Sequence, residues 1–165
     1  MQKKGFTLIE LLIVIAIIAI IAGVVFVALD PLRRFQDARD ARRWSDIAEL
    51  ANAIKIDQVD NQGPYLTAIA DATAGQVYLI GDCAAGATGA PVIDYCTTDP
   101  TQAACLDLGG LVTQGYLGQV PISPNGDGTW SASTTGYTLQ KDAVGIITIR
   151  SCEEEGSTTE ISVVR

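Results

Sequence analysis

The apolar residues of the chain are concentrated in one run close to its N-terminus. Residues 11–29 carry no charge, and only Gly23 interrupts their series of Leu, Ile, Val, Ala and Phe. The run nearly reaches the length of about 20 apolar residues that a helix needs to cross a bilayer. We therefore predict a membrane-spanning helix at residues 6–29. Glu10 lies in its first turns, where a charge is costly and usually has a function.

A second helical pattern follows this run. Trp44, Ile47, Ala51 and Ile54 recur at intervals of three or four residues, which is the spacing of one helix face. The pattern predicts an amphipathic continuation at residues 30–61, ended by the turn-forming residues 61–65. Residues 30–31, Asp-Pro, fit a new helix start with Asp as the cap, or equally a kink in one long helix.

The rest of the chain, residues 62–165, predicts a globular domain that contains short strands. The strand candidates are residues 77–80, 137–141, 145–151 and 160–165, with turns at 142–144 and 153–159. The predicted fold class is α+β. In it, a long N-terminal hydrophobic helix packs its C-terminal half on a small antiparallel sheet.

Charge narrows the choice of partners. The chain has 11 basic and 19 acidic residues and a formal net charge of −8, which does not favour nucleic acid as a partner. Five arginines between residues 33 and 43 could form a DNA- or phosphate-binding patch. We favour ion pairs within the helix and between copies instead. The spacings predict the pairs Asp30–Arg34, Asp40–Arg43 and Arg42–Asp46.

Candidate chemistry is sparse. Histidine is absent, and the sequence contains no nucleophile motif, phosphate-binding loop or metal-ligand cluster. We therefore predict no catalytic residue, no metal and no cofactor. Asn125, Asp127 and Asp142 are the local calcium candidates, but they lack the alternating acidic ligands of a calcium loop and are interpreted as turn residues. The acidic residues 153–155 are interpreted as a solvated turn.

Four cysteines follow the apolar run: Cys83, Cys96, Cys105 and Cys152. An even number in an exported domain predicts at least one disulfide, the alternative being buried thiols. Three pairings are open. A Cys96–Cys105 disulfide would close a short loop and leave Cys83 for Cys152.

The N-terminal ten residues combine several unusual features: Met-Gln-Lys-Lys-Gly-Phe-Thr-Leu-Ile-Glu. A secretory signal also joins basic residues to an apolar stretch, but that stretch is usually shorter, about 7–15 residues. A short basic leader, Gly5, Phe6 and Glu10 before a long apolar helix together resemble the processing site of type IV prepilins and the related pseudopilins. Residues 46–65 and 115–124 resemble stretches of the same proteins more weakly, with Ser123 where the family usually has Asp.

The resemblance implies specific roles for residues at the start of the chain. Residues 1–5 would be a leader, and a membrane aspartyl peptidase would cut between Gly5 and Phe6 and methylate the Phe6 amine. Glu10 would be the assembly residue. The helix would loosen in a filament near Gly23 or Pro31.

The resemblance also implies a structural, non-catalytic function. The expected protein is a subunit of a type IV pilus-like filament, stored as a single-pass protein of the cytoplasmic membrane and polymerised through its N-terminal helix. Its partners would be its own copies, the prepilin peptidase and the assembly platform in the membrane. After assembly it would lie in an extracellular pilus, or in the periplasmic pseudopilus of a secretion or competence system. A membrane-anchored exported enzyme or binding domain is the alternative from a different class.

Overall fold

The computed structural model describes residues 5–63, 65–82, 105–126, 128–156 and 159–165. The chain divides into two compact units, Met1–Phe35 and Gln36–Arg165. The described elements, in chain order, are α1 (Leu8–Leu29), α2 (Pro31–Asp60), α3 (Thr67–Ala70), β1 (Val77–Ile80), β2 (Cys105–Leu106), α4 (Gly109–Thr113), β3 (Tyr137–Lys141), β4 (Ile147–Ser151) and β5 (Ser162–Val164).

The first unit consists of α1 and the start of α2. No residue of α1 is buried, and the helix continues without a break through Gly23. It ends at Asp30, whose φ of 38° lies in the left-handed region. The Asp30 carbonyl accepts the Arg34 N–H at 3.3 Å, and Pro31 is the first residue of α2. The interruption at residues 30–31 therefore separates two helices, with Pro in the first helical position, which is the first of the two alternatives that the sequence left open.

In the second unit, α2 turns one face towards the core. Ile47, Leu50 and Ile54 are buried on this face. The predicted apolar face is wrong at Trp44, which is 42 % exposed, because the fully buried Arg43 takes the equivalent place. Arg43 precedes Ile47 by four residues and Leu50 by seven, so the helix period puts all three on one side.

The sheet has five strands in the order β2-β1-β3-β4-β5. Strands β3, β4 and β5 form the predicted antiparallel meander, and β1 joins the free edge of β3, also antiparallel. Strand β2 pairs with β1 in parallel, so the sheet is mixed rather than wholly antiparallel. The two residues of β2 are too short to carry a strand pattern in the sequence.

The core lies between α2 and one face of the sheet. Its α2 residues form one cluster with sheet residues such as Ile80, Leu139 and Ile149, and with Leu111 of α4. Along β4 burial alternates, since Ile147, Ile149 and Ser151 are buried and the residues between them are half-buried. The α+β fold class is therefore confirmed, with the helix covering one sheet face.

Candidate processing and assembly site

Gly5 and Phe6 precede α1 and lie outside any helix or strand. Both are exposed, and Phe6 keeps 87 % of its surface accessible. A Cβ added at Gly5 would meet no atom within 4 Å, so the fold of the chain itself does not require glycine here. An exposed bond outside regular secondary structure, next to a residue without a side chain, is one that a peptidase can approach closely.

Thr7 and Glu10 form a capping box at the start of α1. The Thr7 hydroxyl oxygen accepts the Glu10 N–H at 3.3 Å, and the Glu10 carboxylate accepts the Thr7 N–H at 2.8 Å. The Thr7 hydroxyl also donates to the same carboxylate oxygen at 2.7 Å. This role of Thr7 was not among the sequence-based predictions. The signal was present, because Thr-x-x-Glu before an apolar run is the pattern of a capping box.

The surface of α1 is apolar on every side. In the described part of the chain, one helical run is long and apolar enough to cross a membrane, judged by length and composition. Its most apolar window has a mean hydropathy of 3.4 and no buried residue. After Glu10, nothing in α1 is charged. Such a helix is stable only in lipid or against other apolar surfaces.

Two of the four cysteines lie among the described residues. Cys105, at the start of β2, is disulfide-bonded, and Cys152 is half-buried after β4. Cys83 and Cys96 lie outside the described residues, so the pairing stays a prediction. Loosening of the helix at Gly23 or Pro31 in a filament also stays a prediction.

The calcium candidates fit turns. The Asn125 side-chain oxygen accepts the Trp130 N–H at 2.8 Å. One Asp142 oxygen accepts the N–H groups of Val144 and Ile146 at 2.9 and 2.7 Å, which closes the β3–β4 turn. Asp127 lies outside the described residues, and no group of three potential metal ligands occurs among the residues that are described.

A buried polar cluster ties α2 to the C-terminal part of the second unit. We call it the Arg43 cluster, and its residues are Arg39, Asp40, Arg43, Ser123, Glu153 and Glu155. The fully buried Arg43 guanidinium donates to Asp40 at 2.7 Å, Glu153 at 2.7 Å and Glu155 at 2.8 Å. It also donates to the Ser123 hydroxyl at 3.1 Å and the Pro124 carbonyl at 3.0 Å.

The structure confirms two of the three predicted ion pairs and corrects another interpretation. Asp40 and Arg43 pair at 2.7 Å, and Arg42 and Asp46 pair at 3.8 Å. The ion pairs among the described residues do not include Asp30–Arg34, because the Arg34 Nε donates to the Leu29 carbonyl at 2.9 Å. Residues 153–155 are not merely a solvated turn, since two of their carboxylates bind Arg43. Sequence spacing held no signal for these contacts, which join positions about 110 residues apart.

Mutual hydrogen bonding sets the ionisation of the cluster. The hydrogen bond from Arg39 lowers the pKa of Glu155, burial opposes this, and Arg43 adds to the lowering. Burial acts to lower the pKa of Arg43, but its hydrogen bonds with Glu155 and Asp40 outweigh burial and raise it. Every charge in the cluster therefore faces an opposite charge. The cluster can therefore stabilise the fold. Its acidic and basic side chains are all engaged in ion pairs, so none of them is available for acid–base catalysis.

Comparison with known proteins concerns the N-terminal segment. Residues 1–26 match the family model of the prokaryotic N-terminal methylation motif. No curated protein and no solved structure is significantly similar to the chain. The matched residues include the exposed Gly5–Phe6 bond, the Thr7–Glu10 capping box and most of α1. At residues 1–26 the chain thus carries the prepilin signal shared by type IV pilins and pseudopilins.

Proposed function

We propose that the chain is a structural subunit of a type IV pilus-like filament. The observation that carries the proposal is the methylation motif at residues 1–26, joined to an apolar helix with no buried residue. In this proposal residues 1–5 are the leader, residues 6–29 the membrane and assembly helix, residues 30–61 its amphipathic continuation and residues 62–165 the globular domain. The subunit is not an enzyme and takes no cofactor.

The mechanism uses cleavage to create a charge. Cutting between Gly5 and Phe6 exposes an amine on Phe6, which the peptidase then methylates. In a filament that excludes water, the Glu10 carboxylate needs a positive partner. The Phe6 amine of a neighbouring copy supplies it when the two chains are offset by four residues, or about 6 Å along a helix. One residue then both recruits the next subunit and sets its register.

Localisation follows from the same helix. Before assembly, α1 holds the protein in the cytoplasmic membrane with the leader inside. The arginines after α1 would favour the opposite orientation by charge alone. Long C-terminal domains, however, cross largely regardless of charge. After assembly the globular domain lies on an extracellular pilus, with the prepilin peptidase and the membrane assembly platform as the other partners.

The test examines filaments from the native host. Sheared surface filaments should contain this chain, and mass spectrometry should find methylated Phe6 as its first residue. Intact Met1 in assembled filaments would contradict the processing step. A hydrolase screen of the purified protein addresses the enzymatic alternative, which predicts turnover without filaments.

A periplasmic pseudopilus is the second candidate function, because pilins and pseudopilins share the motif at residues 1–26. The neighbouring genes discriminate between the two. A retraction ATPase beside this gene favours a pilus for adhesion or motility, and a secretin-linked secretion operon favours a pseudopilus.

A further inference from the structure

Two of the arginines that follow α1 have no carboxylate partner among the described residues. The arginines that do form ion pairs are Arg39, Arg42 and Arg43. Arg33 and Arg34 are exposed, and the ion pairs of the described chain include neither of them. The Arg34 Nε donates to the Leu29 carbonyl at 2.9 Å, which holds this guanidinium beside the last turn of α1.

The two arginines follow the apolar run at the distance of a lipid headgroup. As a helix, the uncharged residues 11–29 span about 28 Å, which is close to the thickness of about 30 Å of the hydrocarbon core of a bilayer. Arg33 and Arg34 come four and five residues after Leu29, which is at most about 8 Å further along a helix. With Glu10 at one edge of the core, both guanidinium groups therefore reach the phosphates at the other edge.

The first turn of α2 is amphipathic. Leu32 and Phe35 are 66 % and 65 % exposed, and their spacing of three residues puts them on one side of the helix. At about 100° per residue, Arg33 and Arg34 fall on the opposite side. Apolar side chains on one side and guanidinium groups on the other suit the boundary between acyl chains and headgroups.

We propose that Arg33 and Arg34 form a binding site for the phosphate groups of anionic phospholipids in the outer leaflet of the membrane that holds the stored subunit. The inference rests on the proposed function, which places α1 in that membrane with the leader inside. A guanidinium binds a phosphate through two parallel N–H groups. Among the described residues, nothing accepts a hydrogen bond from the two terminal nitrogens of Arg34, since its contact with Leu29 uses Nε. The contact fixes the depth of α1, and with it the position of Glu10 at the opposite edge.

The acidic residues nearby do not cancel the charge of the site. Asp30 is the one acid in residues 30–35, so two arginines and one aspartate give this segment a net charge of +1. The Asp37 carboxylate lies against Gly156 in the second unit. A positive segment next to a membrane helix attracts anionic lipids. Lipid phosphates would also compensate the basic charges that oppose transfer of this side across the membrane.

Lipid retention by the full-length protein tests the site. The chain is held in detergent micelles with equal amounts of phosphatidylglycerol and phosphatidylcholine, and native mass spectrometry counts the lipids that stay bound. We expect the unchanged chain to retain phosphatidylglycerol in about tenfold preference. The double variant Arg33→Gln with Arg34→Gln should retain the two lipids equally to within about twofold.

The matched control is Arg42→Gln with Arg165→Gln. It removes the same charge at two exposed positions of the second unit, and it should keep the lipid preference of the unchanged chain. Equal retention of phosphatidylglycerol by the two double variants overturns the site. Absence of any preference in the unchanged chain overturns it as well.

Photo-crosslinking identifies what covers the apolar side of this turn. A benzoyl-phenylalanine at position 35 of the membrane-stored chain should add the mass of a phospholipid after irradiation. Position 26, in α1, is the positive control, because Phe26 is 68 % exposed and lies in the membrane-spanning run. A lipid adduct from position 26 and a crosslink from position 35 to a second copy or another protein overturn the membrane surface as the occupant.

The two readouts separate this inference from the proposed function, since both use the membrane-stored chain and neither needs filaments. Filaments formed by a chain without lipid preference overturn the inference and leave the proposed function intact. A lipid preference that depends on Arg33 and Arg34, in a chain that forms no filaments, supports the binding site and contradicts the filament.

Discussion

At the scale of single residues, Glu10 and Arg43 meet the same physical requirement in different ways. Each is a charge that the fold or the assembly removes from bulk water, and such a charge must find compensation. The Glu10 carboxylate is compensated by a residue close in sequence, since Thr7 donates hydrogen bonds to it in the capping box. Arg43 has one local partner, Asp40, and two partners from the other end of the chain, Glu153 and Glu155.

The capping box allows the charge of Glu10 to be tested separately from its role as a helix cap. A glutamine at the third helical position can still accept the Thr7 N–H, so Glu10→Gln keeps the helix cap and removes only the charge. We expect normal membrane insertion and normal cleavage after Gly5 but a sharply reduced filament yield. The measurement compares sheared filaments with the membrane fraction of the same cells. Normal filaments from this variant would defeat the ion-pair mechanism.

Replacing Arg43 should destabilise the second unit strongly. Arg43→Met keeps the length of the buried side chain but leaves the carboxylates of Asp40, Glu153 and Glu155 without their shared cation. We expect the free energy of unfolding to fall by about 3–5 kcal/mol, measured by denaturant titration of the full chain in detergent. The neighbouring Arg42→Met is the control, because the Arg42 side chain is 63 % exposed. It should change the free energy by less than about 1 kcal/mol.

Glu155 gives the fold a dependence on pH. Its pKa is lowered in the folded state, so its contribution to stability is present above the unfolded pKa of about 4.3. The contribution disappears as the pH falls through the folded value. We expect the stability difference between the unchanged chain and Glu155→Gln to be largest near about pH 7 and to shrink towards about pH 3. The exposed neighbour variant Glu154→Gln should show a small difference at every pH.

At the scale of elements, the boundaries depend on a few backbone conformations. Asp30 separates α1 from α2 with its positive φ. Gln62 and Gly63 end α2 with φ values of 61° and 118°, and the Gly63 N–H donates to the Gln58 carbonyl at 2.8 Å. This is the left-handed helix ending that glycine favours. Gly136, just before β3, has a φ of 80° and is the most constrained of these positions.

A methyl group at Gly136 should not be tolerated. A Cβ there would lie 2.6 Å from Trp130 Cδ2 and 2.8 Å from Ser123 Cβ. The positive φ adds backbone strain, so we expect Gly136→Ala to lower the free energy of unfolding by about 3 kcal/mol. Gly118→Ala is the control, since a Cβ there would meet no atom within 4 Å and its φ is not positive. Denaturant unfolding should show a change below about 1 kcal/mol for the control.

At the scale of the whole molecule, the two units place different demands on their surroundings. The first unit has an apolar helix that needs lipid or a neighbouring copy, whereas the second has its own core beneath a five-stranded sheet. A domain of this size has a modest core. Cross-links between distant parts of the chain therefore matter to its stability, and the Arg43 cluster and the cysteines can both provide them.

For the whole molecule, we predict that the native protein contains at least one disulfide. Cys105 is disulfide-bonded in the structure, and the proposed export would expose the domain to oxidising conditions. Intact mass measured without reductant should be lower than the reduced mass by two or four hydrogens. Alkylation of all four cysteines in unreduced native material would be incompatible with this prediction.

The sequence by itself determined the features that depend on local pattern. The uncharged run predicted α1, the Asp-Pro pair marked residues 30–31 as either a helix start or a kink, and short strand-forming runs between turn residues predicted β1 and the meander of β3, β4 and β5. The prepilin signal at residues 1–26 was also recognisable, because a processing signal must act on a chain as a linear segment. These features depend only on residues that are close in sequence, so the pattern and spacing of residues are enough to predict them.

Tertiary structure alone decided which residues meet across the chain. Periodicity assigned Trp44 to the core, yet Arg43 is buried there because Glu153, Glu155 and Ser123 converge on its guanidinium. The parallel pairing of β2 could not be predicted from the sequence either, since its two residues form a strand only beside β1. A charge can enter a core only when the fold brings its counter-charges, and no local pattern records where those counter-charges come from.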